Sequence, residues 1–325
     1  MLARIAFVAL VLISLTVAPP FLNLATASAA FSDELDDLFE RASEAEFSGT
    51  TFVHCQTPEG VLSQITDIKQ SGGVAIIKAR TADTEVIARK GEYADRAGGY
   101  SKVAAVSVAS SPDRSGHYQV EIAGVGRELG RRVTAVRLIA DGILRVELRF
   151  DAATGAVLRS VSYNGDGNAY CTSEFIAFVP GSPDMDVATM ENAERTELVV
   201  YPDHIDEGRL PAQAGSFTRA DVYGGASGTL VAYYSDGVFS FTLVTAETPV
   251  EIPELSDIEP ATIDGHEYQR LFFPGQAILV WGTAEGGYAL VTDAPLDMQT
   301  AVLSDLPRPG KAFFLTRWWR ALTGH

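Results

Sequence analysis

The side chains able to do chemistry in this chain are scattered rather than clustered. Its five histidines, His54, His117, His204, His266 and His325, stand far apart, and none has a partner at the short spacing that puts two imidazoles on one zinc ion. Asp203-His204-Ile205-Asp206 comes nearest to a ligand cluster and reads more simply as acidic connecting surface. Asn164-Gly165-Asp166-Gly167-Asn168 opens like a calcium loop, but its twelfth position is Phe175, where a bidentate glutamate is required, so a hairpin turn is the simpler reading. Gly225-Ala226-Ser227-Gly228 lacks the second spacer of a nucleophile elbow, and Gly124-Val125-Gly126 followed by Gly130 misses the dinucleotide-binding spacing. The pattern predicts no catalytic residue, no metal site and no cofactor, and it points to binding.

The remaining covalent chemistry belongs to Cys55 and Cys171, and compartment decides what they do. Met1 to Ala29 has one positive charge at Arg4, an apolar run from Ile5 to Val17, a Pro19-Pro20 break and Ala27-Ser28-Ala29 in A-x-A spacing, the layout of a secretory signal peptide. Read as an uncleaved anchor, that run of about 13 residues falls short of the roughly 20 needed to span a bilayer. Export permits a disulfide between Cys55 and Cys171, tying the first strand of a domain to its last. The alternative is two buried thiols too far apart to meet.

Patterning supplies the elements that must position these residues. Ser32 caps a helix whose first turn carries Asp33 and Glu34 and whose apolar positions are Leu35, Leu38, Phe39 and Ala42. From about Ser48 short runs separated by Gly, Asp and Ser clusters read as strands: Thr50 to Cys55, Val74 to Ala79, Glu85 to Lys90, Tyr118 to Ala123 and Val133 to Ile139. Leu144, Val146, Leu148 and Phe150 alternate with Arg145, Glu147 and Arg149, so one face meets a core and the other water. Turns at Asp151 to Gly155 and Asn164 to Asn168 continue this strand into Val157 to Tyr163 and Ala169 to Val179, a meander. A polar, acidic stretch then runs to Gly215. Beyond it strands resume at Thr218 to Tyr223, Thr229 to Tyr234, Val238 to Val244, Gln269 to Phe273, Ala277 to Trp281 and Gly287 to Thr292, with one helix before Pro307.

With 25 Lys and Arg against 42 Asp and Glu the net charge is −17, which repels a phosphate backbone, so nucleic acid is not an expected partner. A hydrophobic share of 46% argues against wholesale disorder.

Tyr233-Tyr234-Ser235-Asp236-Gly237-Val238-Phe239-Ser240-Phe241 resembles a signature of the sigma-E factor regulatory family, the MucB/RseB proteins. The resemblance extends to Asp83 through Gly91, to Leu144 through Val179, and to Tyr288-Ala289-Leu290-Val291 with the helix up to Leu306. Between Tyr93 and Tyr118 the chain is shorter than the family. The resemblance implies an α+β, mostly antiparallel β architecture. It comprises a signal peptide (1–29), a large lipoprotein-carrier-like (LolA-like) domain with a curved half-barrel sheet and helices (30–180), a linker (181–215), a smaller β-sheet domain with one helix (216–307) and a basic aromatic tail (308–325). It further implies a periplasmic or extracytoplasmic, lipid-responsive, non-enzymatic regulator. Such a protein binds the extracytoplasmic part of a membrane-bound anti-sigma factor and restrains its proteolysis, and bound lipid or lipopolysaccharide loosens the grip. The runner-up is a lipid or lipoprotein carrier without a fixed protein partner. The oligomeric state stays open, a homo-oligomer included.

That mechanism asks for an apolar surface and a partner surface coupled to it. Phe52, Ile76, Val86, Val146, Leu148 and Phe150 are the lipid-binding candidates, each with ordinary core packing as the competing reading. Tyr234, Ser235, Asp236 and Gly237 are the partner-binding candidates, although Asp-Gly is also a tight-turn dipeptide that a hairpin needs for its own sake. In the tail, Phe314, Trp318 and Trp319 interleave with Lys311, Arg317 and Arg320, a composition for a membrane interface or partner groove, or for docking on its own domain.

Overall fold

The computed structural model describes residues 38–39, 41–42, 44–71, 74–80, 85–89, 117–184, 199–200, 209–224, 229–246, 259–284 and 286–310. The expected signal peptide and residues 311–325 of the aromatic tail lie outside these. Contacts divide the chain into two compact units, one within Ile13–Thr196 and the other dominated by Glu197–His325. Both are mostly antiparallel β.

In the N-terminal unit the strict alternation around Val146 becomes β7 (Ile143–Asp151), with Val146, Leu148 and Phe150 at most 1% exposed and Arg145, Glu147 and Arg149 half-buried on the other face. The expected meander forms as β7, β8 (Val157–Tyr163) and β9 (Ala169–Pro180), preceded by β5 (Gln119–Glu128) and β6 (Arg131–Ala140). β1 (Phe47–Thr57), β2 (Gly60–Ser71), β3 (Val74–Ala79) and β4 (Glu85–Arg89) form a second run. The sheet order is β4-β3-β2-β1-β9-β8-β7-β6-β5, so the first strand pairs with the last and the two runs join along one seam.

In this unit β2 is the strand that the sequence pattern does not announce. Of its buried residues Thr66, Ile68 and Gln70, only Ile68 is apolar, and Gln70 uses its Nε2 to donate to the Ala45 carbonyl, so hydrophobic periodicity passes over it. The expected N-terminal helix is helical at Leu38, Phe39, Arg41, Ala42 and Glu44. Phe39 meets Phe150 edge-on at 5.3 Å, and Gly155, at φ 79°, lets the helix approach, since a Cβ there would lie 2.7 Å from the Arg41 Cβ. Asp151 closes the turn below: buried, it accepts from Arg131 (2.9 and 2.8 Å) and from the Thr154 amide and hydroxyl.

Two-residue turns join β5 to β6 at Leu129-Gly130 and β6 to β7 at Asp141-Gly142, with both residues of each turn at positive φ. Asp-Gly suits that geometry, whereas a leucine there costs about 1 kcal/mol.

The C-terminal unit contains β10 (Val199–Val200), β11 (Gln213–Ala214), β12 (Phe217–Gly224), β13 (Leu230–Ser235), β14 (Ser240–Ala246), β15 (Glu259–Ile263), β16 (His266–Phe273), β17 (Gln276–Gly282) and β18 (Gly287–Thr292). A closing helix spans Leu296–Asp305 and buries Met298, Val302 and Leu303. The order is β10-β12-β13-β14-β18-β17-β16-β15, with β11 also on β12. β10 and β11 lie inside the stretch 181–215 and pair with β12. All six residues of β18 are buried, as the uninterrupted apolar run of a central strand requires. Stacked Tyr234 and Phe241 (4.3 Å) and stacked Trp281 and Tyr288 (5.3 Å) fill this core, and the Trp281 Nε1 donates to the Pro307 carbonyl at 2.7 Å.

Candidate functional site

The six apolar candidates do not form one wall. Val146, Leu148 and Phe150 share a buried face, and their register partners Leu138 and Val136 on β6 continue it. On β1 the alternation buries Thr51, Val53 and Cys55 and leaves Phe52 half-buried between them, on the opposite side of the strand beside His54, ring centroids 5.5 Å apart. Val86 pairs with the buried Ile77, whereas Ile76 pairs with the exposed Lys69 and with Ile87. From Leu148 and Val146 the register runs to Ser160 and Ser162 on β8 and on to Ser173 and Cys171 on β9, so the face changes from apolar to hydroxyl-bearing at the middle of the sheet.

The opposite face is a lattice of ion pairs. Glu147 receives Arg137 and Arg149, both at 3.2 Å, Arg149 also meets Glu128, and Arg159 meets Glu174 at 3.6 Å. Its charges largely cancel, as expected of a solvated sheet surface.

Cys55 and Cys171 are bonded. They are register partners with Cα atoms 4.0 Å apart, and the bridge fastens the β1–β9 seam.

The Tyr-Ser-Asp-Gly segment is consumed by its own turn. Tyr234, Ser235 and Asp236 are all buried. The Tyr234 hydroxyl donates to the Pro211 carbonyl at 2.8 Å, the Ser235 hydroxyl donates to the Phe239 carbonyl and accepts from the Gly237 amide, and Asp236 Oδ1 accepts from the Val238 and Phe239 amides at 2.9 and 2.8 Å. Gly237 has φ 97°, the left-handed region the turn demands. These groups point inward, and what they do chemically is fix the β13–β14 hairpin.

One residue here escapes sequence reasoning. Asp293, which follows β18, accepts from the Ser240 amide at 2.7 Å across 53 residues, a pairing with no local signal. Its carboxyl is pushed up to about 7, first by removal from water and then by the nearby Asp236, with the Ser240 amide opposing. In the folded chain it therefore keeps its proton between about pH 4 and 7, where the unfolded chain has lost it, so its contribution to stability declines as pH rises through that window. The full displacement corresponds to about 4 kcal/mol, which partial exposure reduces to about 2. Asp293→Asn, which keeps the acceptor, is expected to raise stability at pH 8 by about that amount and at pH 5 by well under half as much. Urea unfolding of the full chain at the two values tests this, and equal shifts at both would contradict it.

Among the described residues no three His, Cys, Asp or Glu side chains group to hold a metal, and no helix is long and apolar enough to cross a membrane. Phe314, Trp318 and Trp319 lie outside the described residues.

No protein-family model matches the chain, and no curated protein matches it in sequence. Solved structures do. The complex structure of Pseudomonas aeruginosa MucA/MucB aligns over 86% of this chain and 98% of that one, with a TM-score of 0.50 at 19% identity. The chain has the fold of MucB. Two further MucB structures, one in complex with MucA(peri), align over 85–86% of the chain at TM-scores of 0.46 and 0.45, with 18% and 17% identity. The MucB fold accounts for both units in one alignment, which the Tyr-Ser-Asp-Gly segment alone does not.

Proposed function

We propose that this chain is an exported, lipid-responsive regulator that holds the extracytoplasmic part of a membrane anti-sigma factor and restrains its proteolysis. It thereby acts negatively on an envelope-stress sigma factor. The observation that carries this reading is the alignment of both units with MucB, a protein solved in complex with MucA. On this reading the chain has binding roles.

The second reading is a lipid or lipoprotein carrier. The buried face of Val146, Leu148 and Phe150 grading into Ser160 and Ser162 supports it, because an acyl chain with a polar linkage asks for that composition. A regulator couples this face to a partner by differential affinity, and a carrier has no need to. Within either reading the chain acts outside the cytoplasm, following the signal-peptide pattern of its first 29 residues.

The discriminating experiment is a pull-down with residues 30–325 from detergent-solubilised membranes of the source cell, with and without added lipid. Recovery of one single-span protein that lipid displaces is the expected result. Recovery of lipid with no protein would replace the regulator by the carrier.

A further inference from the structure

The β5–β6 hairpin concentrates three local costs at one end. Along β5, Ile122 is 40% and Val125 69% exposed, with Ala123, Gly124 and Gly126 exposed around them, a charge-free stretch on an edge strand that pairs only with β6 among the described residues. Leu129, 47% exposed, occupies a left-handed turn position that asparagine or glycine would fill more easily. Next to it the register sets Arg127 directly opposite Arg132, like charges on adjacent strands. Arg127 reaches only the Gly130 carbonyl, and neither guanidinium meets a carboxylate among the described residues, although the chain as a whole is strongly acidic. The neighbouring charges are already committed, Glu128 to Arg149 and Arg131 to Asp151.

Edge strands are normally blunted with charges, prolines or bulges because their free N–H and C=O groups accept another strand. β5 has a bulge at Ala123, which leaves Gly124–Glu128 as a regular stretch beside β6. Its two glycines present bare backbone, and two cations with no carboxylate partner among the described residues mark one end. We propose that the free edge of β5 is a strand-addition site for an extended segment of a protein partner, with an acidic side chain of that segment set against Arg127 and Arg132. Main-chain hydrogen bonds supply affinity in such a mode, and the guanidinium pair fixes direction and register. The inference rests on the reading that the chain holds a protein partner, and it moves the contact from the inward-facing Tyr234–Gly237 turn to the N-terminal unit.

The test uses the full chain and a synthetic peptide of about ten residues alternating Val and Thr, ending in two aspartates, against the same peptide ending in two lysines. Backbone hydrogen exchange is expected to slow at residues 119–128 with the aspartate peptide, which binds at least about tenfold tighter than the lysine peptide. Arg127→Glu with Arg132→Glu should reverse that preference, an outcome that misfolding cannot produce, and Val125→Lys should abolish binding of both. Unchanged exchange at β5 overturns the proposal. So does displacement of the peptide by inorganic phosphate or by anionic phospholipid vesicles, which would make the arginine pair a plain anion site or a membrane contact. In the pull-down, wild type and Val125→Lys recovering the anti-sigma partner equally would overturn the β5 site and leave the regulator standing. A wild type that recovers no protein would overturn the regulator while the peptide result stands by itself.

Discussion

Replacing Cys55 and Cys171 together by alanine is expected to lower the stability of the N-terminal unit by about 3–5 kcal/mol. The bridge spans a sequence separation of 116 residues, so it removes a large closure entropy from the unfolded chain; loops of about 100 residues are worth about 4–5 kcal/mol in that account. Everything from β2 to β8 lies inside the loop, so the whole N-terminal sheet shares the effect. Because the cysteines face each other across the β1–β9 ladder, their loss should leave the strand pairing itself intact when folded. Urea unfolding with and without dithiothreitol provides the check: the wild-type midpoint falls on reduction, and the double variant matches reduced wild type and ignores the reductant. A wild-type midpoint indifferent to reductant would refute the assignment.

The second large effect is expected at Asp236. Asp236→Ala removes the acceptor of two buried backbone amides in the β13–β14 turn and should cost the C-terminal unit about 2–4 kcal/mol, since each orphaned donor costs about 1–3. Asp236→Asn keeps an acceptor oxygen, so it should cost well under half as much. Thermal unfolding ranks the three proteins. If this turn is structural, partner retention should fall only as the folded fraction falls; a variant fully folded yet unable to retain the partner would restore a direct contact role to Asp236.

Strands were legible where one face is apolar and the other charged. β7 could be read residue by residue because Val146, Leu148 and Phe150 alternate with Arg145, Glu147 and Arg149, and β3, β8 and β18 matched their apolar runs end to end. β2 was hidden because two of its three buried positions are the polar Thr66 and Gln70, and β15, starting at Glu259-Pro260, has only Ala261 buried. The site was less legible than the fold. Sequence alternation assigns a residue to a face of its own strand but does not align faces between strands, so it could not separate Phe52 from Val146. The register does that, and register is set by long-range pairing. The Asp236 turn was readable from Asp-Gly, while its neighbour Asp293 depends on a contact between residues 53 positions apart.

The seam between β1 and β9 also governs how this chain must be made. Emerging N-terminus first, β1 finds β2 within a few residues, but its other edge waits for more than a hundred further residues before β9 arrives. Pairing over so long an interval is slow because the loop must close before any contact rewards it. Until residue 171 has appeared, half of the sheet presents an open strand edge and its buried face to whatever surrounds it, a state prone to misassociation. The nascent protein is therefore a natural client for a holding chaperone, and any truncation short of β9 should yield an insoluble fragment rather than a smaller folded unit.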